Sequence, residues 1–252
     1  LMTAKSLAMA KGLPLIGVNH LEGHLLAPFL RDEEYEPPPD FNYPFLALAV
    51  SGGHTSLYEV LGLGKYRVLG STKDDAAGEA YDKFAKLIGL GFPGGVRVDR
   101  LAASGDPKAY DFPRPMLHDE TYDMSFSGIK SAAQRLVQNL GSEKLESLRA
   151  DLCASFQEAI VEVLLSRVKR AVRLTGLKRV IITGGVSANS RLRAVAQDWA
   201  KRRRVELVIP PVRYCTDNAA MIGYAGVLRL NRGERSDMTL GPSPQSLPGD
   251  FL

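Results

Sequence analysis

Only two cysteines, Cys153 and Cys215, occur in 252 residues, which excludes a disulfide framework and suits a reducing compartment. Long hydrophobic runs are missing as well. The longest, Phe45 to Val50, is about a third of the ~20 residues a membrane-crossing helix needs, so no membrane partner is expected. Neither charge sign dominates, since 32 Lys plus Arg stand against 28 Asp plus Glu. No segment repeats itself and none is of low complexity, which excludes solenoid, collagen-like and disordered readings. The P-loop signature G-x-x-x-x-G-K-[ST] is absent too. What remains, at 45% hydrophobic and 24% charged, is the ordinary composition of a soluble globular chain.

The mild net charge conceals an uneven distribution. Residues 19–40 hold six acidic side chains against Arg31 alone, whereas residues 127–204 hold sixteen basic against six acidic. The second half, with Lys201-Arg202-Arg203-Arg204 as its densest cluster, suits a polyanion as well as a solvated surface.

Patterning alternates strands with helices. Pro14–Val18 reads as a short strand, and Asn19 as the cap of a helix running to Leu30. The triple proline Pro37-Pro38-Pro39 makes residues 31–44 a loop. Phe45–Val50 and Thr55–Val60 are strands around Ser51-Gly52-Gly53. Gly78–Leu90 is a helix ended by Pro93-Gly94-Gly95. Leu152, Phe156, Ile160, Val163, Leu164 and Val168 recur at three- and four-residue spacing on a long amphipathic helix. Arg179–Thr183 and Glu206–Ile209 are strands, and helices run to Trp199 and from Asp217 to Leu230. Alternation of this kind predicts α/β.

His20 and His24 lie four apart, so on a helix their imidazoles share one face, a spacing that suits one divalent metal. The position after His20 is Leu21, not the Glu that a zinc peptidase uses as base. Asp217 either caps the last helix or adds an oxygen ligand to the pair. The segments 51–55, 93–95, 184–189 and 74–78 place glycines where backbone amides can approach phosphate, or where a turn alone needs them. No Ser–His–Asp or Cys–His arrangement is evident, and no catalytic base can be assigned.

The motifs Asn19-His20-Leu21-Glu22-Gly23-His24, Val50-Ser51-Gly52-Gly53-His54-Thr55, Asp74-Asp75-Ala76-Ala77-Gly78, Phe126-Ser127-Gly128-Ile129-Lys130, Gly184-Gly185-Val186-Ser187-Ala188-Asn189 and Cys215-Thr216-Asp217-Asn218 occur in order over nearly the whole chain. Together they resemble the TsaD family of tRNA threonylcarbamoyltransferases, once described as glycoproteases. The resemblance implies a two-lobed ATPase fold of the actin/Hsp70/sugar-kinase type. It implies that His20, His24 and Asp217 hold a metal, iron rather than zinc, and that Ala49, Val50, Ser51, Gly52, Gly53, Asp82, Gly95, Asp99 and Asn189 line a substrate pocket. It also implies threonylcarbamoyl-AMP and ATP or ADP as ligands, tRNA as acceptor, TsaB and TsaE as bacterial partners, and a cytoplasmic location.

The implied organisation is a first-lobe remainder at 1–44, a second lobe at 45–214, and a segment 215–252 returning to the first lobe. The chain opens on Leu1 inside a helical pattern, without the strand and phosphate turn with which the family begins. The first lobe is therefore expected to be incomplete at its N-terminus, and the chain poorly stable or inactive alone. A metallopeptidase, a small-molecule kinase of the same fold and a non-catalytic scaffold paralogue are the alternatives.

Overall fold

A computed structural model describes residues 1–243. Its centre is a five-stranded sheet of β1 (Phe45–Val50), β2 (Thr55–Gly62), β3 (Lys65–Ser71), β4 (Arg179–Thr183) and β5 (Glu206–Val208). The spatial order is β3-β2-β1-β4-β5. β1, β2 and β3 form an antiparallel meander, while β4 and β5 add to β1 in parallel. A parallel addition needs a crossover long enough to return along the sheet, and residues 72–178 supply it.

β1 is buried at every position because both sheet faces are covered. Leu46, Leu48 and Val50 point into the large core beneath the helices α3 (Ala77–Leu87), α4 (Gly94–Ala102) and α5 (Ser127–Thr175). Phe84 stacks on Phe156 there, with ring centroids 3.9 Å apart. The alternate residues Phe45, Ala47 and Ala49 face Leu25 of α2 (His20–Leu26) and Phe41 on the other side. α5 is broken at Gly141, whose φ of 72° only glycine adopts without strain. The remaining helices are α1 (Met2–Lys11), α6 (Ser190–Arg203), α7 (Val212–Cys215) and α8 (Ala219–Asn231). No described helix is long and apolar enough to cross a membrane.

Several elements depart from expectation. Pro14–Val18 is not a strand: it makes one bridge, Leu15 with Ser236, and Gly17 donates to the Ser236 hydroxyl at 3.0 Å. The helix capped by Asn19 stops at Leu26 and tightens into a turn over Ala27–Phe29, where Pro28 has no N–H to continue it. Pro93-Gly94-Gly95 does not merely end a helix but begins α4, with Pro93 at its cap. Just before it, Gly89, Gly91 and Gly94 have the spacing G-x-G-x-x-G, yet they follow a helix rather than a strand and do not make a dinucleotide fingerprint. β3 was not anticipated, because its residues are mostly exposed or half-buried and carry little apolar signal.

Candidate functional site

β1 and β4 run in parallel, so their carboxyl ends emerge together, the usual place for a ligand crevice in an α/β sheet. Val50 leads into the turn Ser51–Gly53, and Thr183 leads into Gly184. The two turns abut: a Cβ on Gly184, which has φ +90°, would lie 2.4 Å from the Val50 carbonyl oxygen. Gly78, in the first turn of α3, closes on the other side, where a Cβ would stand 2.6 Å from the Ser51 carbonyl oxygen. These glycines are needed for close backbone approach. Gly52 and Gly53 differ, since a Cβ on either would meet nothing within 4 Å. The Ser51 amide donates to the His54 carbonyl at 2.8 Å and the His54 amide to the Ser51 hydroxyl at 3.1 Å, which holds the turn in shape. No described protein acceptor takes the Gly52 or Gly53 amide.

Beside this turn stand the two histidines. Asn19 caps α2 through bonds from the Leu21 and Glu22 amides, which places His20 in the first turn and His24 one turn on. Asp217 arrives from far along the chain, immediately before α8. Its Oδ1 lies 3.3 Å from His20 Nε2 and 3.1 Å from His24 Nε2. The imidazoles meet edge to face with centroids 4.8 Å apart. His24 is buried, whereas His20 is half-exposed and Asp217 open to solvent, so the cluster has one free side. Asp217 does not cap α8; Asn218 does, accepting from the Met221 amide at 2.9 Å.

The donor set fits a divalent transition metal. Two imidazole nitrogens and a carboxylate oxygen converge within 4.8 Å of one another. Burial and the neighbouring His20 push the His24 pKa below its ordinary value against the pull of Asp217, which keeps the ring neutral with a lone pair to offer. The far nitrogen, His24 Nδ1, is buried and has no hydrogen-bond partner among the described residues, so packing rather than a second hydrogen bond orients the ring there.

Two arrangements that the sequence does not reveal hold the cluster in place. Glu22, one turn-face away from the histidines, is fully buried and receives Arg229 of α8 through Nε at 2.7 Å and Nη2 at 3.0 Å. Tyr66 donates to the same carboxylate at 2.6 Å, and Glu234 takes the remaining guanidinium edge. This network ties α2 to α8, and thereby the histidines to the segment that presents Asp217. On the other side of Asp217, Asp32 receives Arg213 in a two-pronged bond at 2.8 and 2.9 Å and also the Tyr214 hydroxyl. His54 is a further close group, lining one recess with Asn19 and His20, where burial and His20 depress its pKa.

The other expected pocket residues lie around the same strand ends, with different tasks visible. Ala49 and Val50 are core residues, so only Ser51–Gly53 of that stretch reaches the surface. Asp82 Oδ1 accepts from the Gly94 amide at 2.8 Å and so holds the start of α4, with Gly95 next in the same turn. Asp99 accepts from the Ser190 amide and hydroxyl, and Asn189 accepts from the Leu192 amide while donating to Gln157. These three side chains fasten the amino ends of α4 and α6 beside the two glycine turns.

Comparison with known proteins places this geometry. A family model described as TsaD, tRNA N6-adenosine threonylcarbamoyltransferase, matches residues 1–224. A protein of that name from Bdellovibrio bacteriovorus is 66% identical over 251 residues, covering 100% of this chain and 73% of the relative. Its namesake from Anaeromyxobacter dehalogenans is 54% identical, covering 96% and 70%. Among solved structures, full-length HypF in its phosphate- and nucleotide-bound form superposes with a TM-score of 0.68 at 13% identity, over 90% of this chain and 44% of HypF. That likeness shows the shared fold.

Proposed function

The chain belongs to the TsaD family of tRNA N6-adenosine threonylcarbamoyltransferases, with a fold of the actin/Hsp70/sugar-kinase type, and from this we propose how its site works. It is a transferase that modifies adenosine in tRNA. We infer that the donor is threonylcarbamoyl-AMP and that the acceptor is the adenosine beside the anticodon, in tRNAs reading codons that start with A.

The observation that carries this reading is the closeness of the His20–His24–Asp217 cluster to His54, the residue that closes the Ser51–Gly53 turn through its bonds to Ser51. The uncommitted Gly52 and Gly53 amides suit the donor's phosphate, as they would that of ATP or ADP. His20, His24 and Asp217 would hold one divalent metal, iron rather than zinc, and the ion would supply Lewis acidity toward donor oxygens. With the donor so oriented, the adenosine N6 bonds to the carbamoyl carbon, the bond from that carbon to the AMP oxygen breaks, and N6 loses a proton. The acceptor base lies in a loop and is already unpaired, so it reaches the cleft at small cost.

In this reading segments 1–44 and 215–252 form one lobe and 45–214 the other. The Glu22–Arg229 pair and the Leu15–Ser236 bridge support it, while residues 244–252 lie outside the described residues. The two free buried cysteines suit work in the cytoplasm, with TsaB and TsaE as partners. The peptidase alternative has little to stand on, because the carboxylate between the histidines is buried against Arg229 and cannot act as a base on water. The test is transfer of labelled threonylcarbamoyl to unmodified tRNA with partner proteins present. Wild type is expected to label the tRNA and His20→Ala to label it at least ~100-fold more slowly; equal labelling would contradict the reading.

A further inference from the structure

Away from the cleft, the carboxyl ends of α5 and α6 and the start of β4 enclose a concave recess of about 1070 Å³. Seven of its fourteen lining residues are Lys or Arg, and one, Asp119, is acidic. Two helix carboxyl ends point here, and cations at such ends are ordinarily explained by the macrodipole. That accounts for only about half a charge per helix, which leaves most of the positive charge unexplained.

The cations have different tasks. Arg167 is buried and donates to the carbonyls of Met116 and Asp119, and Arg170 donates to the Glu120 carbonyl at 2.7 Å, so both fasten the loop that forms one wall. Arg202 pairs with Asp198. Lys169, Arg173, Lys178 and Arg203 are exposed and, among the described residues, make no ion pair. Burial of its stem, and secondarily the charge of Arg202, lower the Lys169 pKa against the weaker pull of Glu162.

We propose that this recess docks the phosphate backbone of the tRNA at a distance from the modified adenosine. The inference rests on the tRNA-modifying reading and adds a location to it. Lys178 immediately precedes β4 and the Gly184 turn immediately follows it. The recess and the cleft are therefore separated by at least the length of a five-residue strand, roughly 16 Å. A small donor in the cleft does not reach across that span, whereas an RNA that places one loop in the cleft extends well beyond it. A partner protein is disfavoured because such interfaces centre on exposed aromatic or aliphatic anchors, while Trp199, the recess's aromatic residue, is buried. A flat anionic membrane would touch the rim but not the floor of a concavity.

The experiment measures affinity for an unmodified tRNA transcript as a function of salt, using the full chain and the triple variant Arg173→Ala/Lys178→Ala/Arg203→Ala. These side chains are exposed, so the melting temperature checks that the fold is intact. Losing three phosphate contacts should make the log–log salt slope shallower by roughly 2 and weaken binding about tenfold or more at low salt. Maximal transfer at saturating tRNA should stay within about twofold, with KM raised. Lys201→Ala, on α6 but outside the recess, should change the slope by less than about 1. An unchanged slope in the triple variant would overturn the recess alone. So would an equal effect of Lys201→Ala, or binding lost to anionic vesicles but not to tRNA. A wild-type chain that binds no tRNA would overturn both the recess and the reading on which it rests.

Discussion

At the scale of single residues, the site is held by charges that water does not reach. Glu22 and Arg229 are fully buried and form an ion pair at 2.7 Å. Removing one partner strands an ion in the core, so Arg229→Met should destabilise the chain by about 3–5 kcal/mol. The double variant Glu22→Gln/Arg229→Met removes the fully buried charges, leaving only the partly exposed Glu234, and should recover a good part of that loss in denaturant titrations. A double variant as unstable as the single one would mean that the pair acts through packing rather than charge. None of this was legible in the sequence, because 207 residues separate the partners and nothing local marks them. The His20–His24 pair was legible, since four-residue spacing on a helix is a local geometric fact. Asp217 was legible only as one of two alternatives, a helix cap or a third ligand, because the fold alone brings it to the histidines.

At the scale of elements, the strand ends and helix starts carry the design. β1 and β4 could be read from sequence because a strand buried on both faces shows as a continuous apolar run. β3 could not, because an edge strand with mostly polar, exposed residues lacks that signal. α4 escaped for a different reason: proline and two glycines are breakers in mid-helix, yet the same proline suits a helix start. The start of α5 depends on Asp74, which accepts from the Phe126 and Ser127 amides and the Ser125 and Ser127 hydroxyls. Burial alone would raise its pKa, but these four bonds outweigh it and hold the carboxyl below its ordinary value. The unfolded chain therefore takes up this proton first as pH falls. The stability from Asp74 is complete well above the ordinary carboxylate pKa of 3.8 and declines below it. Asp74→Ala should cost about 0.5–2 kcal/mol at neutral pH. It should also flatten the acid limb of a stability–pH curve, and an unaltered acid limb would contradict this assignment.

At the scale of the whole molecule, chemistry and charge are separated. The glycine turns sit at the carboxyl ends of β1 and β4 with the His20–His24–Asp217 cluster nearby, while the cation-lined recess lies toward the amino end of β4. The net charge of +4 is too small to suggest this, although the excess of basic residues between 127 and 204 already pointed to it. The chain spans 73% and 70% of the lengths of two relatives, and His20, His24 and Asp217 all lie within residues 1–224, which the family model matches. Transfer is proposed to depend on one metal ion held by His20, His24 and Asp217. The most direct measurement is metal content per chain, by elemental analysis after equilibrium dialysis, for wild type and Asp217→Ala. Close to one transition-metal ion per wild-type chain is expected, with a large loss in the variant and the fold intact by melting temperature. Equal metal content in the two proteins, or none in an active wild type, would contradict that proposal.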